Sequence, residues 1–104
     1  IRVPVLYGHS VAVSLQTKQK ISADKARESL VAAMGITVID EQQNGGYPTP
    51  ASDISGKDDV FVGRIREDIS HPMGLNLWVV TDNIRKGSAL NIVQIAELLV
   101  RNYL

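Results

Sequence analysis

The chain has 104 residues, which suits one small domain, and its 11 Lys and Arg residues balance 11 Asp and Glu residues. The formal charge of zero argues against nucleic-acid binding, which depends on a basic surface. No apolar run approaches the roughly 20 residues that a membrane span needs, so no membrane association is predicted. The chain contains no cysteine, which excludes disulfides, thiolate metal ligands and a thiol nucleophile from these residues.

The first half of the chain predicts two strands, a helix and a short third strand. The strand-like run 1–6 opens the chain, and apolar and polar residues then alternate over 11–16, as in a half-buried strand. Ser22 can cap a helix whose apolar residues recur at helical spacing until Gly35 ends it. A β-branched run over 36–39 predicts the next strand.

The second half predicts two strands and a final helix after a long loop. Residues 40–58 are rich in turn-forming glycine and proline, and strands are predicted over 60–66 and 75–81. The last helix is predicted over 88–103. Because the strands are mostly adjacent in sequence, this order predicts an α+β fold, with a mixed, largely antiparallel sheet and helices on one face.

The predicted final helix carries a continuous apolar stripe, which must lie against a sizeable surface. The stripe consists of Ala89, Ile92, Val93, Ala96, Leu99, Val100 and Tyr103. One sheet and one other helix offer little for it to cover. A strand-like run that begins at residue one also predicts that the chain was cut from a longer protein. A small independent domain that has lost its initiator methionine gives the same start.

Arg2 and His9 are the first candidates for chemistry. The planar guanidinium of arginine matches both oxygens of a carboxylate, and histidine transfers protons near neutral pH. In a fully extended strand the two residues would lie roughly 20 Å apart, but Pro4 and Gly8 permit a bend that brings them to one pocket. Residue chemistry alone leaves a second interpretation open, namely a surface arginine and a histidine that forms a hydrogen bond at a strand end.

Asn83 is the third candidate, at the point where the last strand leads into the last helix. Its side-chain amide can pair with a carboxamide such as that of nicotinamide, although helix capping explains the same residues without a ligand. His71 precedes a proline in a turn-rich linker and is interpreted as structural or exposed. Two histidines without clustered cysteine or carboxylate ligands predict no metal site.

Several segments together resemble the C-terminal part of bacterial aspartate-β-semialdehyde dehydrogenases. They are RVPV followed by GHS over 2–10, VGRIR at 62–66, and LNLWVVTDNIRKGSALNIVQIAE at 75–97. GYPTP at 46–50 and GKD at 56–58 also fit, so the resemblance extends over essentially the whole chain. The spacing from the arginine to the histidine and the DNIRKG run are its most specific parts.

The resemblance implies a cytoplasmic, homodimeric enzyme that makes aspartate semialdehyde from aspartyl phosphate, with NADPH as reductant, for lysine, threonine and methionine biosynthesis. In that family a thiolate attacks the acyl phosphate, phosphate leaves, and the thioester then accepts a hydride. The resemblance places His9 at the acid/base position and Arg2 at the position that binds the substrate α-carboxylate. It places Asn83 at a cofactor contact near the nicotinamide.

The resemblance also implies a domain arrangement. Residues 1–84 would be part of a catalytic and dimerisation domain like the C-terminal domain of glyceraldehyde-3-phosphate dehydrogenase, with its sheet forming most of the homodimer interface. Residues 85–104 would form a helix that packs on an N-terminal NADP-binding domain. The family's nucleophilic cysteine and glycine-rich NADP loop lie upstream and are absent from these 104 residues. We therefore expect a fragment that is inactive alone.

Two other interpretations remain open at this point. The chain could be a non-catalytic paralogue of the same dehydrogenase, although the presence of both Arg2 and His9 weighs against it. It could also be a free-standing α+β regulatory module that binds a small ligand and has a self-sufficient core. An exposed apolar stripe on the last helix would count against such a module.

Overall fold

A four-stranded sheet organises the chain, and the computed structural model describes residues 4–104. The strands are β1 (His9–Gln16), β2 (Ile36–Val38), β3 (Val60–Glu67) and β4 (Gly74–Thr81). Their order across the sheet is β1-β4-β3-β2. Strand β4 is antiparallel to both of its neighbours, whereas β2 is parallel to β3. The predicted α+β class with a mixed, largely antiparallel sheet is confirmed.

Two α-helices and one π-helical turn complete the described chain. Helix α1 (Ala23–Val31) connects β1 to β2, and helix α2 (Leu90–Tyr103) follows the π-helical turn at Arg85–Ala89. Ser22 caps α1 as predicted, since its hydroxyl accepts the backbone N–H of Lys25 at 3.2 Å. Within residues 4–104, no helix is both long enough and apolar enough to cross a membrane.

The first predicted strand is wrong where the structure describes it. Pro4 and Leu6 lie in bends, Val5 has no regular structure, and residues 1–3 lie outside the described part of the chain. A proline at position 4 has no N–H to contribute to a strand ladder. Gly8 has a φ of +86°, a left-handed conformation that interrupts an extended run. Regular pairing therefore starts at His9, opposite Thr81.

The central loop (residues 40–58) packs on one face of the sheet. Phe61 and Val80 are register partners on β3 and β4, and they form a buried cluster with Ile54 of the loop. Trp78 packs against this cluster, and its indole N–H donates to a backbone carbonyl of the loop at 2.9 Å. The loop therefore completes the core and anchors Ile54 close to the start of β1.

The opposite face of β1 and β4 is also apolar. Val11 pairs with Val79 and Val13 pairs with Leu77, so these four side chains lie on one face of the sheet. Val11 is 52% exposed, and the other three are half-buried. This face offers an apolar surface for a further packing partner.

Helix α2 lies outside the core, with none of its residues buried. Seven of its large apolar side chains are half or more exposed. They are Ile92, Val93, Ile95, Leu98, Leu99, Val100 and Tyr103. Within residues 4–104 the predicted stripe thus has no surface that buries it. This exposure counts against a regulatory module with a self-sufficient core.

Candidate functional site

His9 lies at the first position of β1, on an edge strand of the sheet. Its side chain is exposed, and its backbone is in register with Thr81 at the end of β4. Because β4 ends there, the chain that follows it passes directly beside His9. The segment 82–89 therefore forms one wall of the candidate site, and Gly8 leads into it from the other side.

Asn83 lies beside the start of β1, next to His9, so the two residues can belong to one site. Its Oδ1 accepts the backbone N–H of Gly8 at 2.8 Å. Since an N–H group needs an acceptor, this contact assigns the oxygen of the amide to Gly8 and leaves the NH2 group as the part that can contact a ligand. The contact braces the chain next to His9, and the remaining donor group suits a carboxamide oxygen.

Gly8 fixes the direction from which the chain enters β1. A Cβ built on Gly8 would lie 2.5 Å from Cδ1 of Ile54 and 3.1 Å from Cβ of Pro50. Both the left-handed backbone and the lack of space require glycine at this position. The backbone beside His9 is thereby held against a core residue of the central loop.

Asp82 organises the turn that carries Asn83. Its Oδ1 accepts the N–H groups of Ile84 and Arg85 at 2.9 and 3.0 Å. Its Oδ2 accepts the N–H of Gly56 at 3.0 Å. These backbone donors, Arg85 first and then Gly56, hold the pKa of the Asp82 carboxyl below its ordinary value. The charged carboxylate thus fixes the turn and ties it to the central loop.

Acidification is expected to loosen the turn around Asp82. A carboxyl whose pKa is lowered by folding stabilises the fold above its ordinary pKa of 3.8, and this stabilisation is lost as the pH falls through the lower folded value. We expect the NMR amide resonances of Ile84, Arg85 and Gly56 to shift together between about pH 5 and about pH 2. Asp82→Asn is the control because its side chain does not titrate, and a joint shift that persists in this variant would contradict the assignment.

Two further sequence candidates remain. Arg2 is outside the described residues, so its approach to His9 stays a prediction. His71 lies in the loop between β3 and β4, where its Nδ1 accepts the N–H of Met73 at 3.1 Å. This loop is at the far end of β4 from Thr81, so His71 takes no part in the site.

Sequence reasoning missed two residues of this site. Asp82 provides three hydrogen bonds that hold the turn, and Gly87 lies against the imidazole of His9. The DNIRKG run contained both of them together with Asn83. Its pattern indicated a turn and a cap, but not the segment against which the turn packs.

The amino-acid sequence also matches a known family of domains. The chain matches the model of the semialdehyde dehydrogenase dimerisation domain over residues 1–86. It belongs to this family. The chain is 60% identical, over 104 residues, to aspartate-semialdehyde dehydrogenase from Legionella pneumophila. It is 55% identical, over 101 residues, to aspartate-semialdehyde dehydrogenase from Aquifex aeolicus.

Solved structures show the same likeness. Aspartate semialdehyde dehydrogenase II from Vibrio cholerae, complexed with ASA, superposes with a TM-score of 0.88 at 51% identity, over 99% of this chain and 30% of that chain. A probable aspartate-semialdehyde dehydrogenase from Pseudomonas aeruginosa gives a TM-score of 0.83 at 40% identity, over 97% of this chain and 29% of that chain. The predicted family resemblance is thus confirmed.

The dimerisation domain accounts for a minor part of its relatives. The two curated matches cover 100% and 97% of this chain but only 30% and 29% of the relatives from L. pneumophila and A. aeolicus. Most of the length of those enzymes therefore has no counterpart in the 104 residues.

Proposed function

We propose that this dimerisation domain supplies acid/base and substrate-binding residues to an NADP-dependent aspartate-semialdehyde dehydrogenase of the cytoplasm. The reaction converts aspartyl phosphate, NADPH and a proton to aspartate semialdehyde, phosphate and NADP, on the route to lysine, threonine and methionine. One observation carries the proposal: Asn83 is hydrogen-bonded to Gly8, immediately beside His9. Two residue types that suit this chemistry are thereby brought together, in a chain 60% identical to the L. pneumophila dehydrogenase.

His9 is the proposed acid/base residue. Its imidazole is exposed at the edge of the sheet, where it can meet a substrate held by another part of the enzyme. A thiol has to lose its proton before it attacks an acyl phosphate, and a ring nitrogen of His9 would accept that proton and later return it. Because the chain has no cysteine, the thiol must come from outside these 104 residues, and the chain alone is expected to be inactive.

Arg2 and Asn83 are the proposed binding residues. The guanidinium of Arg2 would hold the α-carboxylate of the substrate with two parallel hydrogen bonds. The NH2 group of Asn83 is the part of its amide that Gly8 does not use, and it fits the carboxamide oxygen of nicotinamide. NADPH, when bound, supplies the hydride for the reduction.

The two apolar surfaces of the domain suit the rest of such an enzyme. We assign residues 85–104 to a helix that packs on an NADP-binding domain through the exposed apolar side chains of α2. The sheet face that carries Val11, Val13, Leu77 and Val79 suits contact with a second copy in a homodimer, as the dimerisation-domain family implies. Residues 1–84 would then form the catalytic and dimerisation part.

The decisive experiment is an assay of the complete protein that contains this chain. We expect it to reduce NADP in the presence of both aspartate semialdehyde and phosphate, the reverse of the biosynthetic reaction. Omission of either substrate should abolish the formation of NADPH. A folded complete protein that forms no NADPH under these conditions would refute the proposed function.

Replacement of Arg2 by lysine is expected to raise the Michaelis constant for aspartate semialdehyde more than that for NADP. Lysine keeps the charge but cannot make the two-pronged contact with a carboxylate. Steady-state kinetics with each substrate varied in turn measure both constants. If only the constant for NADP rises, Arg2 has been given the wrong role.

A further inference from the structure

The backbone of Gly87 lies against the imidazole of His9. A Cβ built on Gly87 would come within 3.1 Å of Cδ2 of His9 and within 3.1 Å of the carbonyl oxygen of Asp82. Both distances are shorter than an ordinary contact between non-bonded heavy atoms, which is about 3.5–4.0 Å. A side chain at position 87 would therefore require the ring to move by a few tenths of an ångström.

The backbone around Gly87 is held in place by the π-helical turn. The N–H of Gly87 donates to the carbonyl of Asp82 at 2.9 Å, and the N–H of Ala89 donates to the carbonyl of Ile84 at 2.9 Å. The carboxylate of Asp82 fixes the start of the same turn through Ile84 and Arg85. Single π-helical turns occur preferentially at functional sites. Gly87 therefore has little freedom to move away from the ring.

The backbone of His9 is held in place as well. Strand pairing with Thr81 sets the position of its Cα, and Asn83 holds the preceding Gly8 N–H. The side chain is nevertheless exposed at the edge of the sheet. Gly87 is thus the contact that limits the imidazole on its Cδ2 edge.

We propose that Gly87 is a positioning residue for His9, because its missing side chain and its fixed backbone set where the imidazole lies. The inference rests on the proposed acid/base role of His9 and goes beyond it. Addition of a methyl group at position 87 would push the ring by a few tenths of an ångström, since the carbonyl of Asp82 prevents the methyl group from moving the other way. Small misplacements of a catalytic group are costly for proton transfer.

The test is a double-mutant cycle in the complete protein. Gly87→Ala is expected to lower kcat for the oxidation of aspartate semialdehyde on the order of 10-fold, whereas Ser29→Ala, at an exposed position of α1 outside the candidate site, should leave it unchanged. In a His9→Ala background, Gly87→Ala should have no further effect, because no ring remains to be displaced. Equal losses in both backgrounds would overturn the inference.

A second readout separates this inference from the proposed function. The imidazole resonances of His9 in the NMR spectrum of the Gly87→Ala protein should shift, with those of His71 as the unchanged internal reference. Unchanged His9 resonances would overturn the inference even in an active enzyme. If the parent protein is inactive, or His9→Ala is fully active, the proposed function fails, and the His9 shift still tests the contact with Gly87.

Discussion

Replacement of His9 by alanine is expected to lower the turnover of the complete enzyme by roughly 10²–10⁴-fold, the range for loss of a general acid/base. Without the imidazole of His9, the proposed acceptor of the thiol proton is missing. The proposed proton donor to the leaving groups is missing as well. The fold should survive, because the side chain of His9 is exposed and its backbone pairing with Thr81 does not depend on the ring. Steady-state kinetics measure the loss, and the circular dichroism spectrum of the same preparation reports the fold.

His71→Ala is the matched control for this variant, since the chain has two histidines. The ring of His71 accepts the N–H of Met73 in the loop before β4, away from Asn83 and Gly87. This substitution should leave turnover unchanged. An active His9→Ala enzyme, or an equal loss in the two variants, would remove His9 from the mechanism.

The second large effect is expected at the contact between α1 and β3. The side chain of Asp40 is only 5% exposed; its Oδ2 accepts a hydrogen bond from Nε of Arg27 at 2.9 Å and forms an ion pair with Nη2 of Arg27 at 2.7 Å. Its other oxygen accepts the N–H of Ile65 at 3.3 Å. Arg27 also contacts the exposed Asp24. The buried carboxylate is therefore neutralised by a single helix residue, which ties α1 to the sheet.

Arg27→Met is expected to destabilise the domain by about 3 kcal/mol, the lower end of the cost of breaking a buried ion pair. The lower end applies because the Arg27 side chain is 27% exposed, so that water can partly replace it. Urea unfolding followed by the fluorescence of Trp78 measures the change. A loss below about 1 kcal/mol would show that Asp40 does not need the arginine charge.

Lys25→Met on the same helix is the control for Arg27→Met. Lys25 forms an ion pair with Glu28, but the two side chains are 69% and 71% exposed. Exposed pairs of this kind contribute less than about 1 kcal/mol. The two variants remove one positive charge each from α1, so the difference between them isolates the effect of burial.

Local features of this domain could be predicted, and the features that join distant segments could not. Ser22 was predicted as a cap and its hydroxyl accepts the N–H of Lys25, because capping involves residues of one turn. The pattern of residues 1–6 favours a strand, yet residues 4–6 form no strand in the structure. There the conformation of Gly8, which its packing against Ile54 requires, overrides an apolar pattern that favours a strand.

In the candidate site, too, the local features could be predicted and the long-range contacts could not. Histidine and arginine indicated their chemistry by type alone, and the DNIRKG run marked a turn at a strand end. Nothing in that run shows that Asn83 accepts a hydrogen bond from Gly8, 75 residues earlier. Nor does it show that Gly87 packs on the ring of His9. These contacts depend on the pairing of β1 with β4, which sets the position of His9 against the chain that follows Thr81.

Five features could be predicted from the amino-acid sequence: the α+β class, the order of most elements, the cap of α1, the apolar stripe of α2 and the family. Each of these follows from residues close together in the chain or from motifs read along it. The fold was needed to show which residues surround His9, and that no surface within residues 4–104 buries α2. The physical reason is that contacts between distant segments depend on strand register and on the packing of the central loop, and no local propensity specifies either of them.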